Sequence, residues 1–135
     1  MVLGRNGGAA SLLRLLFRMC LGGRLGSGKQ WMPWVHVDDA AEMFLYVIEH
    51  KNLRGAVNFC APNSISNRDF TKVIARQVKR PAIAWAPAPV LKLLLGGMSQ
   101  MLLFSERVDP VVLKTEGFTW QYEELQDAVE DAMSD

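Results

Sequence analysis

Pro33-Trp34-Val35-His36-Val37-Asp38-Asp39-Ala40-Ala41-Glu42 runs a strand directly into the start of a helix. Residues 30–37, QWMPWVHV, have the aromatic and β-branched content of a strand, and Pro33 confines that strand to a sheet edge or to its second half. Because strand side chains alternate, Trp34, His36 and Asp38 are expected on one face and Val35 and Val37 on the other. The pair Asp38-Asp39 then opens a helix expected over about 39–51. Asp39 and Glu42, three residues apart, have capping-box spacing, and Phe44, Val47 and Ile48 form its apolar stripe.

Outward from this junction, the pattern repeats. Leu12, Leu13, Leu16, Phe17 and Cys20 make one apolar face of a helix over 9–21, with Arg14 and Arg18 opposite, and the glycine-rich GGRLGSGK ends it. Gly55 stops the second helix, and AVNFCA (56–61) reads as a short buried strand. Ser66 with Asp69 caps a third helix whose buried face is Phe70, Val73, Ile74 and Val78. A strand is expected at 83–85, then short buried helices within the apolar stretch 81–105. A helix follows from Pro110 to Gly117, with extended chain over 118–122. A last helix buries Leu125, Ala128, Val129 and Ala132. Short strands alternating with helices give an α/β or α+β class, with too few strands for a complete doubly wound sheet.

Composition narrows the function classes. With 135 residues, 50% hydrophobic and 21% charged, the chain is neither disordered nor low-complexity. A net charge of +1 provides no field to recruit nucleic acid, and the tryptophans are not interleaved with basic residues. No transmembrane helix is expected, because Lys92, Pro87, Pro89, Gly96 and Gly97 break the most apolar region. Two cysteines, Cys20 and Cys60, point to a reducing intracellular compartment and a soluble protein. Residues 1–37 carry five basic residues and no acid, so a mitochondrial targeting reading of this start stands beside a cytoplasmic one.

Most chemical motifs are incomplete. Gly23-Arg24-Leu25-Gly26-Ser27-Gly28-Lys29 spells GxxxxGK, but Gln30 stands where a magnesium-binding hydroxyl belongs, so it reads as a glycine-rich connection. There is no GxGxxG, no Tyr-x-x-x-Lys pair, and no zinc-site spacing around His36 or His50. No catalytic or metal-ligating residue is therefore assigned. His36 beside Asp38 supports two readings: an acid–base pair lining a polar pocket, or a corner where Asp39 caps the helix and His36 is hydrogen-bonded locally.

Taken together, MVLGRNGGA, GSGKQWMPWVHVDDAAEMFLYVIEH, GAVNFCAPNSISNRDFTKVIARQVKRPA and ERVDPVVLKTEGFTWQYEELQDAV resemble one family in order and spacing. The chain resembles the C-terminal half of atypical short-chain dehydrogenase/reductases of the NAD(P)-dependent epimerase family, 39U member 1 type. From about residue 85 it resembles the small uncharacterised domain that ends them. Some relatives have been described as cell-division-inhibitor-like. The resemblance implies residues 1–84 as the remnant of a doubly wound NAD(P)-binding domain and 85–135 as a small, mostly helical α+β substrate-side domain. It implies NAD(P) as cofactor of the longer protein, bound weakly or not at all by this chain, which then corresponds to a fragment, a shortened isoform or a truncated gene product. Gly4, Arg5 and Asn6 match the family loop that faces the cofactor crevice, with Trp34, His36 and Asp38 as substrate-pocket residues. The implied function is the substrate-side part of an oxidoreductase or epimerase acting on a small molecule, without independent catalysis. The alternative is a non-enzymatic module docking a protein partner or a second copy through an exposed sheet edge and the 81–105 segment.

Overall fold

A computed structural model describes residues 1–5, 8–98, 100 and 103–134. Its elements are β1 (Val2–Leu3), α1 (Gly8–Arg18), β2 (Gly23–Leu25), β3 (Trp31–Met32), β4 (Val35–His36), α2 (Val37–Glu49), β5 (Ile65–Ser66), α3 (Asn67–Val78), β6 (Ala84–Ala86), α4 (Ala88–Leu95), a 3₁₀ turn over Gly96–Met98, α5 (Val111–Thr115) and α6 (Leu125–Met133). The strands pair two by two. β1 and β4 are parallel, with Val2 opposite Val35 and Leu3 opposite His36; β2 and β6 are parallel; β3 and β5 are antiparallel. Parallel pairing across a helical crossover makes this an α/β fold with few strands and several helices.

Adjacent residues of β4 feed two cores. Trp34 enters one built from Leu3, Ala10, Phe17, Phe70 and Ile74 together with Leu125, Ala128, Val129, Ala132 and Met133 of α6. Val35 turns the other way, into Met43, Leu113, Phe118 and Trp120. Successive side chains on an extended chain point to opposite faces, so a single residue step divides the interior. The first core is continuous across residue 84: α6, near the end of the chain, packs on α1, α3 and β1.

The third helix forms as its sequence dictates. Ser66 is its N-cap, accepting from Asp69 N–H at 3.2 Å, and Phe70 and Ile74 are buried with Val73 and Val78 beside them. α6 buries all four residues expected of it, and α5 follows Pro110. Strand β6 falls one residue later than the expected 83–85.

Other expectations are corrected. The Pro33 interruption splits 30–37 into β3 and β4. α1 ends at Arg18, leaving Cys20 exposed in a left-handed conformation (φ 58°); the side chain of Leu12 lies outside the described residues. In α2, Met43 is buried and Val47 half-buried, whereas Phe44 and Ile48 face outward, so the apolar stripe is turned away from the core. Residues 56–61 form no strand; they run beside Trp34, whose carbonyl accepts from Ala61 N–H at 2.7 Å. Within 81–105, Ile83, Trp85, Leu93 (85% exposed) and Phe104 are exposed rather than buried. α1, by contrast, is built into the fold: Phe17 is buried, and Arg14 reaches the Met133 carbonyl.

The GxxxxGK stretch is a connection between strands. Gly23 pairs so closely with β6 that an added Cβ would lie 1.6 Å from the Ala84 carbonyl oxygen, and Gly26 and Gly28 turn the chain with positive φ into β3. A strand, not a helix, follows it. Arg68 N–H donates to the Gly28 carbonyl, so the turn is tied to the start of α3.

Ile74→Ala is expected to cost about 2–5 kcal/mol in urea unfolding, as for a fully buried aliphatic side chain. Leu93→Ala is expected to change the midpoint by less than about 0.5 kcal/mol.

Candidate functional site

In a parallel pair the carboxyl ends of both strands open on one side, where α/β sheets hold their ligands. Here those ends are Leu3 and His36. Gly4 follows β1, and its missing side chain matters: a Cβ would sit 2.8 Å from Val37 Cγ1, so a larger residue would push the Val37 side chain aside where the chain leaves β1 past the start of α2. Arg5 comes next, with its side chain 58% exposed, while Asn6 lies outside the described residues.

His36, 1% exposed, is the pivot. It ends β4 and is the N-cap of α2, its Nδ1 accepting from Asp38 N–H at 3.3 Å. This replaces the cap expected from Asp39 and agrees with the local hydrogen-bond reading of His36. Nδ1 also lies 3.5 Å from Asp38 Oδ2, and Nε2 lies 3.2 Å from Asp131 Oδ2 without the alignment of a hydrogen bond. The Tyr122 ring stands 3.9 Å from the imidazole, tilted by 36°. Asp38 has left the strand for the first turn of α2, so it does not share an extended face with Trp34 and His36; its side chain is exposed. Trp34 is buried, with Nε1–H donating to the Asn63 carbonyl at 3.0 Å, which makes it part of the wall and core.

Two acids complete the cluster: Asp131, to which the sequence assigns no role, and Asp39, expected there only as a helix cap. Asp131, from α6, takes the Arg5 guanidinium through Nε, at 3.1 Å to each carboxylate oxygen, and through Nη2. Asp39, 1% exposed, accepts from Gln121 N–H at 2.7 Å and Tyr122 N–H at 3.0 Å, and this holds Tyr122 against His36. No local spacing announces either contact, since the partners lie 126 and 82–83 positions apart.

The electrostatics follow from this packing. The Arg5 guanidinium, chiefly by hydrogen bonding, holds the Asp131 carboxyl below its ordinary value, with a smaller contribution from His36; Arg5 is raised in return. The Tyr122 phenol is pushed up, first by lost hydration and then by the Asp131 and Asp38 charges. Burial raises the Cys60 thiol, reinforced by Asp109. The described residues contain no group of three or more metal-ligating side chains.

Comparison with known proteins places this geometry. Residues 4–60 match the family model for the NAD dependent epimerase/dehydratase family, and residues 86–132 match a domain of unknown function, DUF1731. An epimerase family protein of Staphylococcus epidermidis is 37% identical over 131 residues, 97% of this chain and 44% of its own. One from Staphylococcus saprophyticus is 38% identical over the same share of each chain. A crystal structure of human epimerase family protein SDR39U1 (isoform2) with NADPH matches with a TM-score of 0.91 and 33% identity, over 97% of this chain and 45% of that one. GDP-mannoheptose C4 reductase from Campylobacter jejuni, with NADP bound, shares the fold at a TM-score of 0.71 and 14% identity. The chain spans a little under half the length of these relatives.

Asp39→Ala removes the acceptor of two part-buried N–H groups, and the expected loss is about 1–3 kcal/mol by urea unfolding. For Asp131 the folded-state pKa is depressed, so its contribution to stability is complete above the unfolded value of about 3.9 and is lost as pH falls from there through the folded value. Asp131→Asn should therefore flatten the unfolding midpoint against pH in that acid window.

Proposed function

We propose that this chain, a member of the epimerase family, supplies the substrate-side wall of an NAD(P)-dependent oxidoreductase or epimerase site and has no catalysis of its own. The observation that carries this reading is the convergence of Arg5 and His36 on one carboxylate, Asp131, beside the carboxyl ends of the parallel pair β1–β4, where an α/β sheet presents side chains to a ligand. The relative with a TM-score of 0.91 was crystallised with NADPH, which supports NAD(P) as the cofactor of the whole site.

In this reading residues 1–84 are the closing part of the nucleotide-binding domain and 85–135 the substrate-side domain. Gly4, Arg5 and Asn6 face the cofactor crevice, and Trp34, His36 and Asp38 border the substrate. The NAD(P) group, when bound, supplies hydride transfer. The residues here orient: Arg5 presents a fixed positive charge at the rim, His36 an imidazole between two carboxylates, and Trp34 a rigid apolar backing that excludes water. The sequence carries neither a glycine-rich dinucleotide loop of the GxGxxG type nor a Tyr-x-x-x-Lys pair. That supports placing the nucleotide cradle and the proton-transfer pair in the part of the relatives this chain does not match.

A second reading, a docking module for a protein partner or a second copy, draws support from exposed Ile83, Trp85, Leu93 and Phe104 in the apolar segment. Among the described residues no helix is long and apolar enough to cross a membrane.

Thermal unfolding of the 135-residue chain by circular dichroism, with and without excess NADPH, tests the main reading. A melting temperature insensitive to NADPH is expected; a cooperative melt that NADPH raises would show a usable cofactor site in this chain and refute it.

A further inference from the structure

The C-terminal segment encloses His36 from two directions. From the chain preceding α6, Gln121 and Tyr122 hang their backbone N–H groups on Asp39, which lays the Tyr122 ring on the imidazole. From α6 itself, Asp131 holds the Arg5 guanidinium and turns its Oδ2 toward His36 Nε2. α6 already buries Leu125, Ala128, Val129, Ala132 and Met133 in the core. Asp131 stands on the same helix only 16% exposed, beside the carboxyl ends of β1 and β4. The groups facing His36 are therefore Asp38 from α2, Tyr122 from the segment before α6, and Asp131 from α6, with Arg5 behind Asp131.

We propose that the segment matching the domain of unknown function sets the crevice, and that Asp131 is its positioning residue: one carboxylate fixes both the Arg5 guanidinium and the His36 ring at the carboxyl ends of β1 and β4. The inference rests on the reading of that crevice as the substrate-side wall, and it deepens it. Geometry supports it. A guanidinium held through two of its nitrogens by one carboxylate has its direction fixed, whereas a free exposed arginine samples many rotamers. His36 is held at Nδ1 by the Asp38 N–H and lies against the Tyr122 ring, while its Nε2 faces the Asp131 carboxylate 3.2 Å away, a close charge rather than an aligned hydrogen bond. A link across 126 positions makes the arrangement of the strand ends depend on docking of the chain's last helix.

The test is nuclear magnetic resonance of the labelled chain, wild type against Asp131→Asn, with circular dichroism melts alongside. The two histidines give two sets of ring nitrogen signals, assigned with His50→Gln. In Asp131→Asn the His36 ring signals are expected to shift while those of His50 stay in place. The Arg5 Nε–H is expected to change from slow to fast exchange with water. A purely packing role for Asp131 would lower the melt and leave these signals where they were. Should Asp131→Asn fail to fold, Arg5→Met serves, because Arg5 is exposed: the Asp131 carboxyl carbon should then titrate at a higher pH than in the wild type. Unmoved His36 and Arg5 signals in folded Asp131→Asn, or an unchanged Asp131 titration in Arg5→Met, overturns the proposal. So does a wild-type Arg5 Nε–H that exchanges as fast as an unpaired arginine. None of these signals requires NADPH or substrate. A failure here leaves the cofactor result standing, and an NADPH-raised melt leaves the positioning role standing.

Discussion

A buried carboxylate orders this molecule. Asp39 sits in the first turn of α2, almost fully withdrawn from water, where an uncompensated charge would be costly. Two compensations are present. The positive end of the helix dipole lies beneath it, and the N–H groups of Gln121 and Tyr122 close on its two oxygens. The bond brings a segment from near the chain's end against the start of α2, where Trp120 can reach the Cys60 carbonyl and Phe118 and Trp120 can close the core around Val35 and Met43.

That attachment explains why the two matched segments, the epimerase-family domain and DUF1731, share an interior. α6 completes the core of Leu3, Trp34, Phe70 and Ile74, and Asp131 extends the same helix's reach to Arg5 and His36. The side-chain cluster at the ends of β1 and β4 is thus composed by residues from both, and neither alone holds all four of Arg5, His36, Tyr122 and Asp131. Outside this junction the surface is more apolar than the sequence pattern suggests. Phe44, Leu45 and Ile48 on α2, Leu15 on α1 and Met19 just after it face outward.

Legibility in the sequence tracked the range of the interaction. Local signals were read correctly: the Ser66–Asp69 cap, the buried stripes of α3 and α6, and Pro110 ahead of α5. The strand at 30–37 was legible, though Pro33 divides it. Errors came where a tertiary partner overrides a local preference. Asp39 has a capping residue's spacing, yet serves a backbone 82 positions away, and His36 takes over the cap. The apolar face of α2 and the 81–105 segment depart from the burial their pattern predicts because apolar periodicity reports a face without reporting what covers it.

The amino-acid order by itself determined the kind of element at most places, though not at 56–61, and it carries the resemblance to the epimerase family. These depend on neighbours a few positions apart: alternation, caps and turn residues. Only the tertiary structure decided which charges meet. Asp131 and Asp39 are ordinary acids in helical stretches until packing of α6 on α1 and α3 brings the chain's end to its beginning. The energy of such a contact lies in the desolvated geometry of its partners, which no spacing along the chain encodes.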